Sequence, residues 1–435
     1  MRQVRQYGQS INDPEVEAYI QSVGYKLVAN SDNNQIPFTF FVNNNLQINA
    51  FAAPGGIVGI NSGVIINSDD ESELASVMAH EISHVTQRHL ARTYEATNKL
   101  SLPYMAAAIG AIALGIVNPQ IGSAALATLS GAGAQYQINF TRSNEEEADR
   151  IGMQLLARSG FDPYGMPHFF EKLQQMSRYN RGNPPEFLLT HPLTTSRIAD
   201  SEARAEQYPQ HKYKSSETFW LIRAKIRANS FDSTRDAVEF FVNQLRNGGY
   251  PDIDSARYGY AIALTNNGDF AEAENQLSQL LDEKPENISF LLAAGNLAAT
   301  QRKYNDALVI YRHASELYPD YWPLVMAESR ALLDAQQPLA ARDLLRQYGQ
   351  DHDHTVQYYD LVSQAEAQTG SPGESAIAKA EYYYMTGGTK LALDHLKFAL
   401  HQTELTEYQR ERVKARQKEL EDELALEKEF KLAPG

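Results

Sequence analysis

The spacing of apolar positions changes along this chain, and the changes divide it. Around residues 70–89, Leu74, Val77, Met78, Ile82 and Val85 recur every three or four positions, which predicts a helix with one buried stripe. Ser68 is the expected cap, with Asp69, Asp70 and Glu71 near the positive end. A second helix is expected from about Asn144 through Ile151, Leu155 and Leu156. Residues 38–42 and 56–61 read as short strands, the latter approached through the turn signal Asn49-Ala-Phe-Ala-Ala-Pro-Gly-Gly. Gly55 and Gly56 either make that turn or let another backbone come close.

Beyond residue 216 the pattern is helical and repetitive. Gly268 and Ala273 are followed by Leu277, Leu280 and Pro285; 34 positions on, Ala307 is followed by Tyr311, Ala314 and Pro319. A further shift brings Ala341 and Leu345 into register, a looser unit is expected at Gly387, Ala392, Leu396 and Ala399, and an upstream one near Trp220 with Ala237 and Phe241. Ala261 and Gly295 also lie 34 apart, where one helix would rest close on its partner. The period resembles the tetratricopeptide repeat, whose helix pairs bury their apolar faces only by stacking into a solenoid. The expected organisation is a mixed α+β domain over residues 1–210, a repeat domain over 216–405, and a charged tail over 406–435 read as a solvated helix with charge pairs.

Composition narrows the chemistry. Across 435 residues the formal net charge is -15, which argues against phosphate-backbone binding, so no nucleic acid partner is expected. The complete absence of cysteine excludes disulfides, thiolate-bound metal and thiol catalysis, leaving His and carboxylate as metal ligands. The opening Met-Arg-Gln-Val-Arg-Gln lacks the apolar core of a secretory signal, consistent with a cytosolic protein or with a mature form. The run from Tyr104 to Val117 is uncharged but only 14 residues long, ends at Asn118-Pro119, and continues in small residues to Ala134. It is too short to span a bilayer, which takes about 20 residues, so no transmembrane segment is expected. A lid, helices packed over a site, a membrane-surface contact by 104–134, or ordinary core all stay open.

His80-Glu-Ile-Ser-His84 lies on the first predicted helix. Residues four apart share a face, so both imidazoles can meet one ion, with Glu81 beside it to take a proton from activated water. Gln87 and Leu90 stand where a three-histidine extension needs Gly and His, which excludes that subclass and points to a carboxylate from the second helix. Glu145 and Asp149, four apart, are the candidates: Glu145 as third ligand, Asp149 as acceptor for the spare N–H of His80. Glu146 and Glu147 would then be solvated or capping charges.

Ala79-His80-Glu81-x-x-His84, preceded by Asn49-Ala-Phe-Ala, and Arg142-x-x-Glu145-x-x-Ala148-Asp149 resemble the M48 zinc metallopeptidases over residues 10–205. The resemblance implies an α+β zincin-type (gluzincin) metallopeptidase domain followed by an all-α tetratricopeptide-repeat solenoid. It also implies one zinc ion per chain and endopeptidase activity. The added repeat array is similar to that of periplasmic members acting in outer-membrane protein quality control. For those members the substrates would be unfolded or stalled outer-membrane proteins, with the barrel-assembly machinery docked on the repeats. A His-Pro loop with an arginine six residues on is common in the family and is matched by His191-Pro192 and Arg197. His191 could stabilise an oxyanion, fill a fourth zinc position in the resting state, or merely cap a helix; Arg197 would orient Asp149 or Glu145, or pair at the surface. The segment from Asn49, Ala50 and Phe51 onward fits an edge strand that binds extended substrate through its backbone. The competing functional reading is a chaperone-like assembly scaffold whose protease site is mostly shut; a structural zinc site is weaker, because it leaves Glu81 idle.

Overall fold

A computed structural model describes Arg2 and residues 10–33, 35–53, 55–92, 142–179, 184–209 and 211–432. The 104–134 run lies outside the described residues. The chain forms two compact units, one ending at Asp232 and the other running from Ser233 and including Arg2. Among the described residues no helix is long and apolar enough to cross a membrane.

In the N-terminal unit, α1 (Pro14–Ala29) starts where the Asp13 side chain accepts from the Glu15 and Val16 N–H groups, and buries Val16, Ile20, Val23 and Leu27. It packs on a sheet of β1 (Thr39–Asn43), β2 (Ala50–Ala53) and β3 (Ile57–Asn61), in the order β1-β3-β2. β1 runs parallel to β3, with Thr39 opposite Ile57, and β2 runs antiparallel, with Phe51 opposite Gly59. Gly55 and Gly56 turn β2 into β3 at φ values of 85° and 77°, so the pair makes the turn. The short α2 (Ser62–Asn67) leads into α3 (Glu71–Thr86), after which come α4 (Arg142–Arg158), α5 (Gly165–Tyr179), α6 (Phe187–Thr190) and α7 (Thr195–Ala205). α3 is buried from Glu71 to His84, more than the one stripe its periodicity predicts, because α1, α4, α5 and the sheet all pack on it.

The N-terminal unit extends past the expected boundary at 210. Helix α8 (Glu217–Ala228) places Phe219, Ile222 and Ile226 in the same apolar cluster as Ile20, Phe40 and Leu74. Burial of each such side chain contributes about 1.5–3 kcal/mol, enough to hold the helix there. Glu71 adds bonds from the Ser216 N–H (2.9 Å) and hydroxyl (2.7 Å).

The second unit consists of α9 (Thr234–Asn247), α10 (Ile253–Asn267), α11 (Phe270–Glu283), α12 (Ile288–Thr300), α13 (Tyr304–Leu317), α14 (Trp322–Asp334), α15 (Pro338–Asp351), α16 (Val356–Gln368), α17 (Pro372–Met385), α18 (Thr389–Leu400) and α19 (Glu407–Leu432). Alternate helices begin at Phe270, Tyr304, Pro338 and Pro372, a spacing of 34. The left-handed turn before each has the same spacing, at Gly268, Arg302, Gln336 and Gly370. A Cβ on Gly295 would come within 2.2 Å of the Tyr311 ring, so this position needs glycine for helix contact. Two expectations shift. Ala392, Leu396 and Ala399 lie on α18, the first helix of its pair rather than the second, since small buried residues recur on both. The charged segment is not wholly solvated: α19 buries Val413 and Leu420 against Ala392 and Leu396 and closes the last pair.

Candidate metal centre

Helix α3 carries the first half of the site. Its cap is Asp70, which accepts from the Glu73 N–H; Ser68 instead ends α2, donating to the Val64 carbonyl. α4 crosses α3 at Gly152, where a Cβ would meet Ala79 and the His80 nitrogen at 3.2 Å, and Ala148 and Ala79 are both fully buried beside it. Small residues at this crossing bring Glu145 and Asp149 up to His80 and His84.

The side chains of His80, His84, Glu145 and His191 converge, with one donor atom from each lying within 4.8 Å of all the others. His80 Nε2 is 3.0 Å from His84 Nε2, 3.4 Å from His191 Nδ1 and 3.5 Å from a Glu145 oxygen. Glu145 lies 3.1 Å from His191 Nδ1 and 3.5 Å from His84 Nε2. Ligand bonds of about 2.0–2.1 Å around a tetrahedral ion leave edges of about 3.4 Å, so the donor set fits one divalent metal. All four side chains are buried, which costs stability unless a cation satisfies their converging lone pairs.

The surrounding groups fix these donors. His80 Nδ1 lies 3.0 Å from Asp149 Oδ1, so the spare ring nitrogen faces this carboxylate. Arg197, buried on α7, donates to both Asp149 oxygens at 2.7 Å, to the Pro192 carbonyl at 2.9 Å, and pairs with Glu145 at 2.9 Å. One guanidinium thus joins the acidic face of α4 to the His191 loop. Burial alone would lower the pKa of His80, but Asp149 and Glu145 outweigh it and raise it to about 9. Burial pushes Glu145 and Asp149 upward, yet the facing His191 and His80 hold Glu145 well below its usual range, and Arg197 and His80 hold Asp149 below its own. His84 is lowered by burial and by the charge of His80.

Glu81 is also fully buried, and burial raises its pKa against the opposing pull of His191 and His80. Its Oε1 makes no hydrogen bond and lies 3.4 Å from His191 Nε2. His191 closes α6; its N–H donates to the Phe187 carbonyl, and the Phe187 ring stacks on it at 4.6 Å. On β2, the Asn61 N–H donates to the Asn49 carbonyl, so by strand alternation Phe51 also pairs with β3 while Ala50 and Ala52 turn their backbone groups away. The Ala52 N–H acts on Glu81. Of the three expected substrate-strand residues, only Ala50 therefore has a free-facing backbone; the Asn49 side chain bonds Glu186, and Phe51 packs on Phe41 at 5.8 Å.

Sequence reasoning gave no site role to His89, Glu147 or Gly152. His89 is buried 2.8 Å from His84, and Glu147, expected in solvent, reaches His89 at 3.1 Å. His89 follows the helix end and obeys no helical spacing with His84, so the chain's periodicity carries no trace of the contact.

The model of peptidase family M48 matches residues 14–205. The beta-barrel assembly-enhancing protease of Escherichia coli is 39% identical over 418 residues, covering 96% of this chain and 85% of that protein. A putative beta-barrel assembly-enhancing protease of Vibrio cholerae is 36% identical, covering 96% of this chain and 86% of its own length. A mitochondrial metalloendopeptidase of Schizosaccharomyces pombe is 28% identical over 220 residues, covering 49% of this chain and 56% of that protein. Among solved structures, a tetratricopeptide repeat protein of Parabacteroides merdae aligns with 60% of this chain and 92% of its own at 12% identity and a TM-score of 0.36.

Proposed function

The chain belongs to peptidase family M48, and from that premise we propose that it is a zinc endopeptidase of outer-membrane protein quality control, with His80, His84 and Glu145 as zinc ligands and Glu81 as the proton-transfer residue. The observation that carries this reading is the convergence of two histidines of one helix and a glutamate of the next beside a buried carboxylate with one unbonded oxygen. Nitrogen and carboxylate donors without sulfur suit zinc.

Bound there, zinc would polarise the scissile carbonyl and activate a water. Glu81 takes a proton from that water and returns it to the leaving amine; the pKa raised by burial suits a group that must both accept and release a proton. Asp149 keeps the His80 ring turned so that Nε2 is the donor, and Arg197 holds Asp149 and Glu145 in place. An extended substrate adds along β2 through the outward backbone groups of Ala50 and the Ala52 carbonyl, which favours unfolded segments over particular sequences.

His191 would be the fourth ligand of the resting enzyme; its Nδ1 lies among the other donors, and Phe187 and the Arg197–Pro192 bond support it there. With zinc bound, access of substrate would require His191 to leave, and its ring would then be available to an oxyanion.

Likeness to the E. coli beta-barrel assembly-enhancing protease supports misassembled outer-membrane proteins as substrates, the barrel-assembly machinery as a partner of the repeats, and the periplasm as compartment. A scaffold whose protease site is idle is not favoured, since a buried Glu81 oxygen without a partner costs stability and is explained by catalysis. The test is Glu81→Gln: it should keep its zinc and lose cleavage of an unfolded protein, and undiminished turnover would contradict the mechanism.

A further inference from the structure

Helix α3 ends in a manner that bears on its second histidine. Gln87 follows the last turn, and Arg88 takes a left-handed φ of 55°, a conformation that usually falls to glycine. Had the helix continued, position 89 would point about 140° around the axis from position 84. The reversal at Arg88 instead folds His89 back beneath the ligand helix, wholly buried, with ring centroids 4.9 Å apart and Nδ1 facing Nδ1 at 2.8 Å.

We propose that His89 is a positioning residue that fixes the tautomer and ring angle of His84, itself held by Glu147 and Arg92. The hydrogen bonds allow one consistent assignment. His84 offers a metal its Nε2 lone pair, so its proton is on Nδ1 and donates to His89 Nδ1. His89 then carries its own proton on Nε2, which donates to Glu147 Oε2 at 3.1 Å. Glu147 is secured in turn by Arg92 Nη1 at 2.9 Å. His84 thus has an imidazole behind it where His80 has the carboxylate Asp149. The neutral acceptor leaves His84 the less electron-rich donor of the two, while the short contact still fixes its orientation.

This inference rests on the zinc reading above, and the experiment separates the two. Zinc affinity of the full chain is measured by competition with a chromogenic chelator, alongside thermal unfolding of the metal-free protein. His89→Leu removes the acceptor and should weaken zinc binding about 10–100-fold. His89→Asn presents an amide oxygen near the Nδ1 position and should restore affinity close to wild type, a rescue that packing alone would not give. If the Leu variant fails to fold, Asn is compared with Ala. Wild-type affinity in the Leu (or Ala) variant, or an Asn variant as weak as it, overturns the proposal. A wild-type chain that binds no zinc overturns the metal reading itself.

Discussion

Removal of Arg197 tests how the centre is held together. The residue is 2% exposed, and its guanidinium makes two bonds of 2.7 Å to Asp149 and is 2.9 Å from both Glu145 and the Pro192 carbonyl. Arg197→Ala leaves two buried carboxylates facing each other with only His80 and His191 between them. Losing one partner of a buried ion pair costs about 3–5 kcal/mol. For a unit of this size 1 kcal/mol moves Tm by about 2–4 °C, so the peptidase transition should fall by about 6–20 °C. The loss should be greater in chelator-stripped protein, where no metal charge compensates Glu145. Arg197→Lys should recover little, because an ammonium cannot reproduce the two-pronged bond to Asp149. The pH dependence has a definite sign. The depressed Asp149 contributes stability above its unfolded pKa of about 3.9, and that contribution is lost as pH falls, so the variant should be flatter than wild type in acid. Calorimetry and urea unfolding of the metal-free proteins measure all of this; a destabilisation below about 1 kcal/mol would refute the strut assigned to Arg197.

Further outcomes follow from the same geometry. His191→Ala should raise cleavage of an unfolded protein if the ring blocks the resting site and lower it if the ring serves the oxyanion; an unchanged rate removes both roles. In metal-free protein, His80, raised to about 9, contributes stability that is complete below about pH 6.5 and lost as pH rises through 9, whereas the depressed His84 contributes above about 6.5 and loses it as pH falls. Unfolding measured across pH 5–10 should therefore show a maximum that zinc broadens. Gly152→Ala should push the ligand helices apart and lower zinc affinity, its overpacking cost of about 1–3 kcal/mol offset by about 1 kcal/mol of helix propensity, read by melting and chelator competition. In the repeats, Gln336→Gly removes a left-handed non-glycine and should change stability by no more than about 1 kcal/mol in the favourable direction, leaving zinc affinity untouched.

Much of the architecture was legible because it is periodic. The 34-residue spacing gave the helix pairs, and the three-or-four spacing from Leu74 to Val85 gave α3. The four-residue interval between His80 and His84, repeated between Glu145 and Asp149, pointed to the groups that the structure brings together. What escaped obeys no period. Helix α8 looks like a repeat helix, yet its Phe219, Ile222 and Ile226 find their partners in α1 and the sheet, far away in sequence. Val413 and Leu420 are sparse among charges, so the closing role of α19 was hidden by composition. His89 reaches His84 only because Arg88 leaves helical conformation, and strand alternation, set by pairing with β3, decides that Ala52 rather than Phe51 faces outward.

The mechanism turns on which side chains bind the metal and how many ions there are. Anomalous diffraction at the zinc edge from crystals of the full chain answers both. The expected result is one zinc ion, bound by His80, His84 and Glu145 with His191 as fourth ligand in the absence of substrate. An ion bound without Glu145, or located away from α3, would contradict it.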